Sequence, residues 1–351
     1  MNKDQVKAFV DKVYGDMAGA MAVGMAYVGV KTGLFRAMAG KGHVRADEVI
    51  ALSGLQPRYV EEWLKGMVAA GYLDYDAAAQ TYRLPEEHAY LLASEGTDHF
   101  MGGLICFAPV LLGVAPKVAD AFRTGGGVRF QDFGSECVVA LDMINGGQYE
   151  QRLGGYWLAK LPDVIERLEN GGRVLDVGCG VGRVGVTIAK TFPKCQVVGL
   201  DPDPESIRQA RQTAVRAGVE DRIRFVARTT HDFARDDGFD LITACDCVHD
   251  FSAPHQTLGE LRALLKPEGT LFIVEPKAAD RLEDNFNSIA TMYYGFSVFH
   301  CMTQSLAQGG PGLGTCMGPA RTEKLLHEAG FGRVEKLDIK SQTSLFYAAR
   351  L

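Results

Sequence analysis

The chain has 351 residues, which is long for one small domain and favours two. Its formal net charge of −6 argues against a general affinity for nucleic acid or an anionic membrane, because surfaces that bind either are usually basic. Eight cysteines are scattered without a C-x-x-C pair, which favours free thiols in a reducing cytosol over a disulfide framework or a zinc site. The charged start lacks a signal-peptide core, and we find no apolar run of the roughly 20 residues that span a bilayer. We therefore expect a cytoplasmic protein that does not bind membranes.

The first hundred residues have the pattern of short helices followed by a hairpin. Apolar residues recur at helical spacing in MAVGMAYVGVKTGLFRAMAG, a segment that Gly40 and Gly42 end. RADEVIALSGL predicts a second helix, and QPRYVEEWLKGMVAAG predicts a third, with Pro57 in its first turn and a stop at Gly71. YLDYD and TYRLP alternate around a polar turn and predict a β-hairpin. Three helices and a hairpin predict a winged-helix domain over residues 1–95.

A winged helix often binds DNA, so the charges on its third helix and hairpin matter. The helix carries Glu61 and Glu62 beside two bases, and the hairpin carries Asp74 and Asp76 against Arg83. Acids on a helix that faces phosphates would repel them. We therefore expect no nucleic-acid binding, and a domain that forms a homodimer or covers a substrate.

The rest of the chain is first helical and then alternates strands with helices. Residues 96–165 predict a helical connection that contains the glycine loop RTGGGVRF. Residues 166–351 alternate strands with helices, which is typical of a parallel sheet with helices on both faces. The strand candidates are Arg173–Val177, Gln196–Leu200, Ile223–Ala227, Leu241–Cys245, Thr270–Glu275, Arg333–Leu337 and Ser344–Ala349. The last two are close enough in sequence to pair as an antiparallel hairpin, and a long helical insert precedes them.

A glycine turn follows the first strand of this second domain. VLDVGCGVGRVGV places Gly178, Gly180 and Gly182 where a strand gives way to a helix, the edge at which open α/β sheets bind ligands. The third glycine of a dinucleotide fingerprint would fall at Arg183, so that fingerprint fails, and no G-K-[ST] follows. The carboxylate of Asp176 suits an ammonium group better than a pyrophosphate.

The next strand ends in Asp201 and Pro202, where an acid can accept hydrogen bonds from the two hydroxyls of a ribose. One acid near a cationic amine, one acid on a ribose and no phosphate site together describe S-adenosylmethionine. We predict S-adenosylmethionine as the cofactor, and we expect a side chain placed at Gly178 to occupy cofactor space.

Three strings of the second domain, VLDVGCGVGRVGVTIAKTFP, VVGLDPDPESIRQAR and LLKPEGTLFIVEP, resemble class I S-adenosylmethionine-dependent methyltransferases. Five more, YRLPEEHAYLL, GYWLAKLPDVIERLENG, CDCVHDF, DRLEDNFN and SLAQGGPGLGT, resemble a subfamily of bacterial (including mycobacterial) and animal methyltransferases with an N-terminal winged helix. The resemblance covers nearly the whole chain. It implies a Rossmann-like α/β sheet in the order 3-2-1-4-5-7-6, with strand 7 antiparallel.

Such methyltransferases usually have an acid after the third strand, within reach of the adenine amino group. In FVARTTHDF that place is taken by Thr229, followed by Thr230, with Asp232 three residues after Thr229. A threonine hydroxyl can still accept one hydrogen bond. Which residue contacts the adenine stays open.

CDCVHDF ends the fourth strand, at the edge where the sulfonium should lie. Asp246 is the candidate to hold the methionine portion of the cofactor. His249 resembles the base of the winged-helix O-methyltransferases, and imidazole titrates near neutral pH. The alternative for His249 is a structural histidine that caps the next helix. No acid pair with metal-ligand spacing accompanies it, so we predict no metal, and we expect Cys245 and Cys247 to pack rather than to act as nucleophiles.

The insert NSIATMYYGFSVFHCMTQSLAQ is rich in methionine and aromatic residues and follows the fifth strand, where methyltransferases commonly place a substrate cover. Tyr293, Phe296 and His300, with Tyr149 from the connection, are the candidate acceptor contacts. They indicate a small, partly apolar acceptor in a closed pocket, methylated on oxygen or sulfur. Two alternatives remain: a methyltransferase acting on protein or RNA, and a DNA-binding regulator that senses S-adenosylmethionine.

Overall fold

The computed structural model of the protein describes residues 1–233 and 238–351. Contacts divide the chain into two compact units, and the predicted connection at 96–165 is divided between them. The first unit contains Met1–Val110 and Val139–Gly147, and the second contains Leu111–Val138 and Gln148–Leu351.

Helices and a small antiparallel sheet make up the N-terminal part of the chain. Its elements are α1 (Lys3–Thr32), α2 (Leu34–Met38), β1 (His43–Val44), α3 (Ala46–Ser53), α4 (Pro57–Ala69), β2 (Asp74–Asp76), β3 (Thr81–Arg83), α5 (Glu86–Leu92) and α6 (Gly102–Gly113). The predicted hairpin is β2 with β3, and β1 adds a third strand in the order β1-β3-β2. The amphipathic α4 buries Val60, Leu64 and Met67, which lie on one face at spacings of four and three residues. This is a winged helix, as predicted.

Helix α1 is longer than the sequence pattern indicated. The side chain of Asn2 caps its start by accepting the N–H groups of Asp4 and Gln5, so the charged first residues are helical. Gly33 ends it in a left-handed conformation with φ 76°, well before Gly40. Large apolar side chains stay exposed along one face of α1. They are Val6, Phe9, Val10, Val13, Tyr14, Met17, Met21 and Val28.

By length and composition, α1 also meets the requirements of a membrane-spanning helix, with a mean hydropathy of 1.2 over an 18-residue window. The helices Gly102–Gly113 and Ala115–Thr124, which are bent relative to each other, meet these requirements when they are counted as one span. The sequence analysis expected no such segment, because charged residues interrupt the apolar ones in α1.

The remaining elements form a sheet flanked by helices. In chain order they are α7 (Ala115–Thr124), α8 (Ser135–Arg152), α9 (Pro162–Glu169), β4 (Arg173–Val177), α10 (Arg183–Thr191), β5 (Gln196–Asp201), α11 (Pro204–Ala217), β6 (Ile223–Ala227), β7 (Phe239–Cys245), α12 (Pro254–Leu264), β8 (Leu265–Pro276), α13 (Ser288–Phe296), α14 (Met302–Ala307), α15 (Pro319–Glu328), β9 (Arg333–Lys336) and β10 (Ser344–Arg350). Two π-helical segments, Leu153–Trp157 and Ser297–Cys301, extend α8 and α13.

The seven-stranded sheet has the order β6-β5-β4-β7-β8-β10-β9, which is the predicted order 3-2-1-4-5-7-6. Strand β10 runs antiparallel to β8 and β9, and the other neighbours are parallel. Side chains alternate between two buried layers: Val174 belongs to one and Leu175 to the other. Because parallel strands share a direction, the carboxyl ends of β4, β5, β7 and β8 meet at one edge.

Candidate functional site

The glycine turn after β4 forms the centre of this edge. Gly178, Gly180 and Gly182 have φ values of 64°, 50° and 82°, in the left-handed region that favours glycine. A Cβ at Gly178 would lie 2.9 Å from the Cβ of Cys247, whereas a Cβ at Gly180 would meet nothing within 4 Å. A side chain at Gly178 would first meet Cys247, and the expectation that it enters cofactor space stays a prediction. Gly180 is the glycine that faces open space.

Asp201 at the end of β5 is tied to this turn. Its Oδ2 accepts the N–H of Gly180 at 2.9 Å, and its Oδ1 accepts the N–H of Asp203 at 2.9 Å. Burial raises the pKa of the Asp201 carboxyl, and the two backbone hydrogen bonds oppose that rise. Each carboxylate oxygen has a second lone pair that can still accept a hydrogen bond. Pro202 follows at the surface.

Asp176 lies deeper than the sequence suggested, with 1% of its surface exposed. Its Oδ1 accepts the hydroxyl of Thr243 at 2.8 Å, and its Oδ2 accepts the N–H of Gly185 at 3.1 Å. Burial raises the pKa of Asp176 to about 7, against the lowering effect of these hydrogen bonds. Asp176 therefore ties the end of β4 to β7 and α10, and its role toward the cofactor stays a prediction.

The two threonines after β6 have different roles. The exposed Thr229 donates its hydroxyl to the Asp232 carboxylate at 2.8 Å. The buried Thr230 donates to Glu260 on α12 at 2.6 Å, which ties the loop to that helix. Thr229 and Asp232 thus form one polar pair at the edge where adenine was expected.

Asp246 follows β7 with a φ of 52°, an uncommon conformation for a residue that is not glycine and one often found at functional sites. Its N–H donates to the carbonyl of Val274 at 2.8 Å, which holds the strained turn against β8. The hydroxyl of Tyr149 donates to the Asp246 carboxylate. Burial raises the pKa of Asp246 to about 6, and burial followed by the Asp246 charge raises the pKa of Tyr149.

His249 lies in a short 3-10 turn, Val248–Asp250, and is 3% exposed. Its Nδ1 is 2.7 Å from the carboxylate of Glu275, and the other oxygen of Glu275 accepts the N–H of Val248 at 3.0 Å. Burial lowers the pKa of His249, but the charges of Glu275 and Asp250 outweigh it and raise the pKa well above its ordinary value. The helix-cap alternative does not hold, since α12 begins after Ala253 without a side-chain cap.

Sequence reasoning missed Glu275. Its signal was available, because Glu275 ends the apolar run FIVE at the carboxyl end of a predicted strand, as Asp201 does in its own strand. Strand β8 lies beside β7 in the sheet, which brings Glu275 to His249.

The predicted acceptor contacts fall into three groups. Tyr149 donates its hydroxyl to the Asp246 carboxylate, as described above. Tyr293 donates its hydroxyl to the carbonyl of Thr343 at 2.7 Å, and its ring centre is 6.2 Å from that of Phe296. His300 is buried, with its ring centre 4.9 Å from that of Phe133, and burial lowers its pKa.

Cys245 and Cys247 have the character of packing thiols. Burial raises the pKa of both well above the ordinary value for cysteine. The Cys247 thiol contacts the carbonyl of Val177 at 3.4 Å. A thiol that resists ionisation is a poor nucleophile, in agreement with the packing role predicted for both.

Comparison with known proteins divides the chain in the same way as its fold. Residues 168–330 match a family described as "Methyltransferase domain", and residues 19–94 match an "Rv2258c-like winged HTH domain". A ubiquinone biosynthesis O-methyltransferase of Xanthomonas euvesicatoria is 32% identical over 117 residues, which are 32% of this chain. The chain spans less than half the length of that relative, 47%.

Two solved structures share the fold over nearly their whole length. An O-methyltransferase family protein of Burkholderia thailandensis has a TM-score of 0.67 at 16% identity, covering 100% of this chain and 98% of that one. Human N-acetylserotonin methyltransferase in complex with SAM has a TM-score of 0.66 at 20% identity, covering 97% of each chain. At these identities the likeness establishes the fold.

Proposed function

Since the chain joins an Rv2258c-like winged helix-turn-helix domain to a methyltransferase domain, we propose that it transfers the methyl group of S-adenosylmethionine to an oxygen or sulfur atom of a small molecule. The observation that carries this proposal is the bond between the Asp201 carboxylate and the N–H of Gly180. This bond brings Asp201, the acid that we assign to the ribose, beside a glycine that faces open space.

The residues at the sheet edge fit S-adenosylmethionine in shape and charge. Gly180 leaves room above the turn, and Asp201 has lone pairs for the ribose hydroxyls. Asp176 and Asp246 add acidic groups near the expected sulfonium and ammonium positions, and both would favour a cation. The pair Thr229 and Asp232 offers an acceptor for the adenine amino group.

S-adenosylmethionine supplies a methyl group made electrophilic by a positively charged sulfur. With S-adenosylmethionine bound at Asp201 and Gly180, the acceptor atom would form its bond to this carbon as the carbon–sulfur bond broke, and the electron pair of that bond would stay on sulfur. Transfer of this kind depends on alignment, which we assign to Asp246 and Tyr149 because they are bonded to each other beside the sheet edge. For a hydroxyl acceptor we assign proton removal to the Nε2 of neutral His249, with Glu275 holding Nδ1. Because the pKa of His249 is raised, this base form is favoured at alkaline pH. Glu275 is a positioning residue in this scheme.

The acceptor we propose is small and partly apolar. Tyr293 and Phe296 offer aromatic faces, and the lowered pKa of His300 keeps its imidazole neutral, so these side chains suit an uncharged aromatic or thiol compound. An RNA acceptor is disfavoured, since the acidic chain would repel RNA, and a protein acceptor stays an alternative.

We also propose a cytoplasmic homodimer formed through α1. Its exposed apolar residues, from Val6 to Val28, share one face that is about 33 Å long at 1.5 Å per residue, while Asp11 and Lys12 point away from it. A second copy of the same helix would cover this face by a self-complementary contact. The acids and bases of the opposite face, among them Asp11 and Lys12, disfavour a spanning position in a bilayer.

The charged residues of the β2–β3 hairpin and of α4 do not support the DNA-binding alternative. Arg58 pairs with Glu62 at 2.5 Å, and Arg83 pairs with Asp74. These arginines are therefore neutralised by their own neighbours, which leaves little charge for phosphates.

The test is an assay of S-adenosylhomocysteine release, using the purified full-length chain and a panel of phenols, thiols, amines and carboxylic acids. We expect turnover with at least one phenol or thiol, and none without an acceptor. The variant Asp201→Ala serves as the control for the cofactor site and should lose turnover at limiting cofactor. Cofactor binding without turnover on any class would favour a sensing role instead.

A further inference from the structure

Three side chains next to the candidate base place metal-binding atoms together. A ring nitrogen of His249, a carboxylate oxygen of Asp250 and the Sγ of Cys301 all lie within 4.8 Å of one another. His249 and Asp250 come from the turn after β7, whereas Cys301 comes from the π-helical segment after α13. His249 and Cys301 are buried, and Asp250 is half-buried.

Two oxygen atoms in this cluster lack a hydrogen bond, although Asp250 Oδ1 forms an ion pair with His249. Asp250 Oδ1 and Thr315 Oγ1 are buried without a hydrogen bond in the described part of the chain. Asp250 Oδ1 is 3.6 Å from the Nε2 of His249, too far for a hydrogen bond, and Thr315 lies beside the Cys301 thiol. Leaving a buried acceptor without a hydrogen bond costs about 1–3 kcal/mol, and more for a charged group. We therefore expect a polar ligand or an ion to bind between these atoms.

A carboxylate contacts the Nδ1 of His249, as it commonly does at the non-ligating nitrogen of a metal-binding histidine. Its Nδ1 contacts Glu275 at 2.7 Å, and Glu275 is itself anchored by the N–H of Val248. A carboxylate on the far nitrogen fixes the ring and directs the other nitrogen to a metal. Here that other nitrogen is directed toward Asp250.

We propose that His249, Asp250 and Cys301 form a site for a thiophilic divalent cation, with Zn²⁺ as its probe, and that the bound ion inhibits methyl transfer. A sulfur, a nitrogen and a carboxylate oxygen are the three donor types that Zn²⁺ takes, whereas Mg²⁺ and Ca²⁺ prefer oxygen alone. The carboxylates of Asp250 and Glu275 balance the charge of the ion. His300 lies next to the cluster, with its Nδ1 3.6 Å from Cys301 Sγ, but it is not among the three residues whose donor atoms come together.

The spacing fits with little movement. Tetrahedral Zn²⁺ bonds place a nitrogen and an oxygen ligand about 3.4 Å apart, and a nitrogen and a sulfur ligand about 3.6 Å apart. The separation of 3.6 Å between His249 Nε2 and Asp250 Oδ1 is already close to this. On binding, the S–H bond of Cys301 and the Nε2–H bond of the His249 imidazolium are each replaced by a bond to the metal, and both protons leave to solvent.

The inhibition rests on the function proposed above, but the binding does not. A metal on Nε2 occupies the lone pair that would take the acceptor's proton. Filling the site should therefore stop transfer to a hydroxyl, and removing the metal should restore it. Cys301 takes no part in the transfer itself, so its replacement separates the two effects.

The experiment titrates the chelator-treated, full-length protein with Co²⁺ and Zn²⁺. Co²⁺ reports a thiolate ligand by an intense charge-transfer absorption, and a competing chelating dye reports Zn²⁺ affinity. The variants are Cys301→Ser, which removes the thiolate, and Glu275→Gln, which should weaken Zn²⁺ binding about 10–100-fold. The matched control is Cys195→Ser, another buried cysteine, whose thiol contacts the carbonyl of Leu168.

We expect one ion per chain and a thiolate–cobalt band that Cys301→Ser abolishes and Cys195→Ser retains. Zn²⁺ should inhibit the parent reversibly, and Cys301→Ser should keep the basal turnover while requiring at least tenfold more Zn²⁺ for inhibition. No binding, binding without the band, or equal inhibition of both cysteine variants would overturn the proposal. The cobalt absorption and the Zn²⁺ affinity can be measured even if no methyl acceptor is found. Failure of the metal site can therefore be told apart from failure of the proposed methyl transfer.

Discussion

The carboxylate of Asp201 accepts the backbone N–H of Gly180 at 2.9 Å, which joins the end of β5 to the glycine turn after β4. The two residues are 21 positions apart in sequence. Their contact positions an acid and an open glycine on neighbouring strand ends, where a ribose can lie against both.

Replacing Asp201 with alanine should weaken S-adenosylmethionine binding by about 1.5–3 kcal/mol, because it removes a charged acceptor of the ribose hydroxyls. Titration calorimetry measures the affinity. The control is Glu205→Ala, since Glu205 is a nearby acid of α11 that pairs with Arg208 at 2.5 Å. Equal affinities for the parent and Asp201→Ala would remove Asp201 from the cofactor site.

The two glycines of the turn should respond differently to alanine. Both have positive φ, so each substitution costs about 1–2 kcal/mol of folding free energy from the backbone. Gly178→Ala also forces its Cβ against Cys247, so it should lower the melting temperature further. Gly180→Ala should mainly reduce cofactor affinity, because its methyl group enters open space. Thermal melts and calorimetry on both variants decide this, and a larger loss of affinity in a well-folded Gly178→Ala would reverse the assignment.

Asp176 should make stability fall as the pH rises toward neutrality. Burial raises its folded-state pKa to about 7, so the folded chain keeps a proton that the unfolded chain has lost. Between about pH 4 and 7 this group lowers the free energy of unfolding as pH rises, by up to about 1.4 kcal/mol per pH unit.

Denaturant titrations of the parent and of Asp176→Asn over that pH range measure the effect. The asparagine can still accept from Gly185 and meet Thr243, so the difference between the two proteins isolates the titration. A pH-independent difference would mean that Asp176 is ionised throughout.

Replacing His249 with alanine should separate hydroxyl from thiol acceptors. A hydroxyl is a poor nucleophile until it loses its proton, so losing a positioned base should lower kcat/KM by about 10²–10⁴-fold. A thiol is already partly ionised at neutral pH and needs alignment more than a base, so much S-methylation should remain.

The measurement is kcat/KM for one phenol and one thiol, with chelator present, from pH 6 to 9. His231→Ala, which changes an exposed histidine bonded to Glu260, is the control. Equal losses on both substrates, at unchanged cofactor affinity, would leave His249 with a positioning role only.

Introducing negatively charged residues on the apolar face of α1 should dissociate the proposed dimer. Met17 and Met21 are 55% and 58% exposed on that face, so Met17→Glu with Met21→Glu should yield a monomer by light scattering. Ala8→Glu with Gly19→Glu adds the same charge on the opposite face, where a Cβ at Gly19 meets nothing, and should stay dimeric. A monomeric parent, or dissociation of both variants alike, would contradict a dimer through this face.

Local pattern was enough to predict the strands and the glycine turn. An apolar run that ends in an acid, followed by alternate glycines, needs no distant contact to be recognised, and alternating strands and helices predict a parallel sheet. Since all parallel strands end at the same edge, the sequence also predicted that Asp176, Asp201 and Asp246 would gather there. The length of α1 was underestimated because helical spacing was recognised only from Met21 onward, whereas the charged residues before it are helical too.

Which atoms face each other was decided only by the tertiary structure. Glu275 reaches His249 because β8 lies beside β7, and Cys301 joins them because the insert folds back over the same edge. Gly178 and Gly180 are both glycines in one turn, yet one faces Cys247 and the other open space. A residue's position along a strand sets the edge it occupies, but side-chain direction and distance depend on strand order, register and covering segments, which are set by packing between parts of the chain remote in sequence.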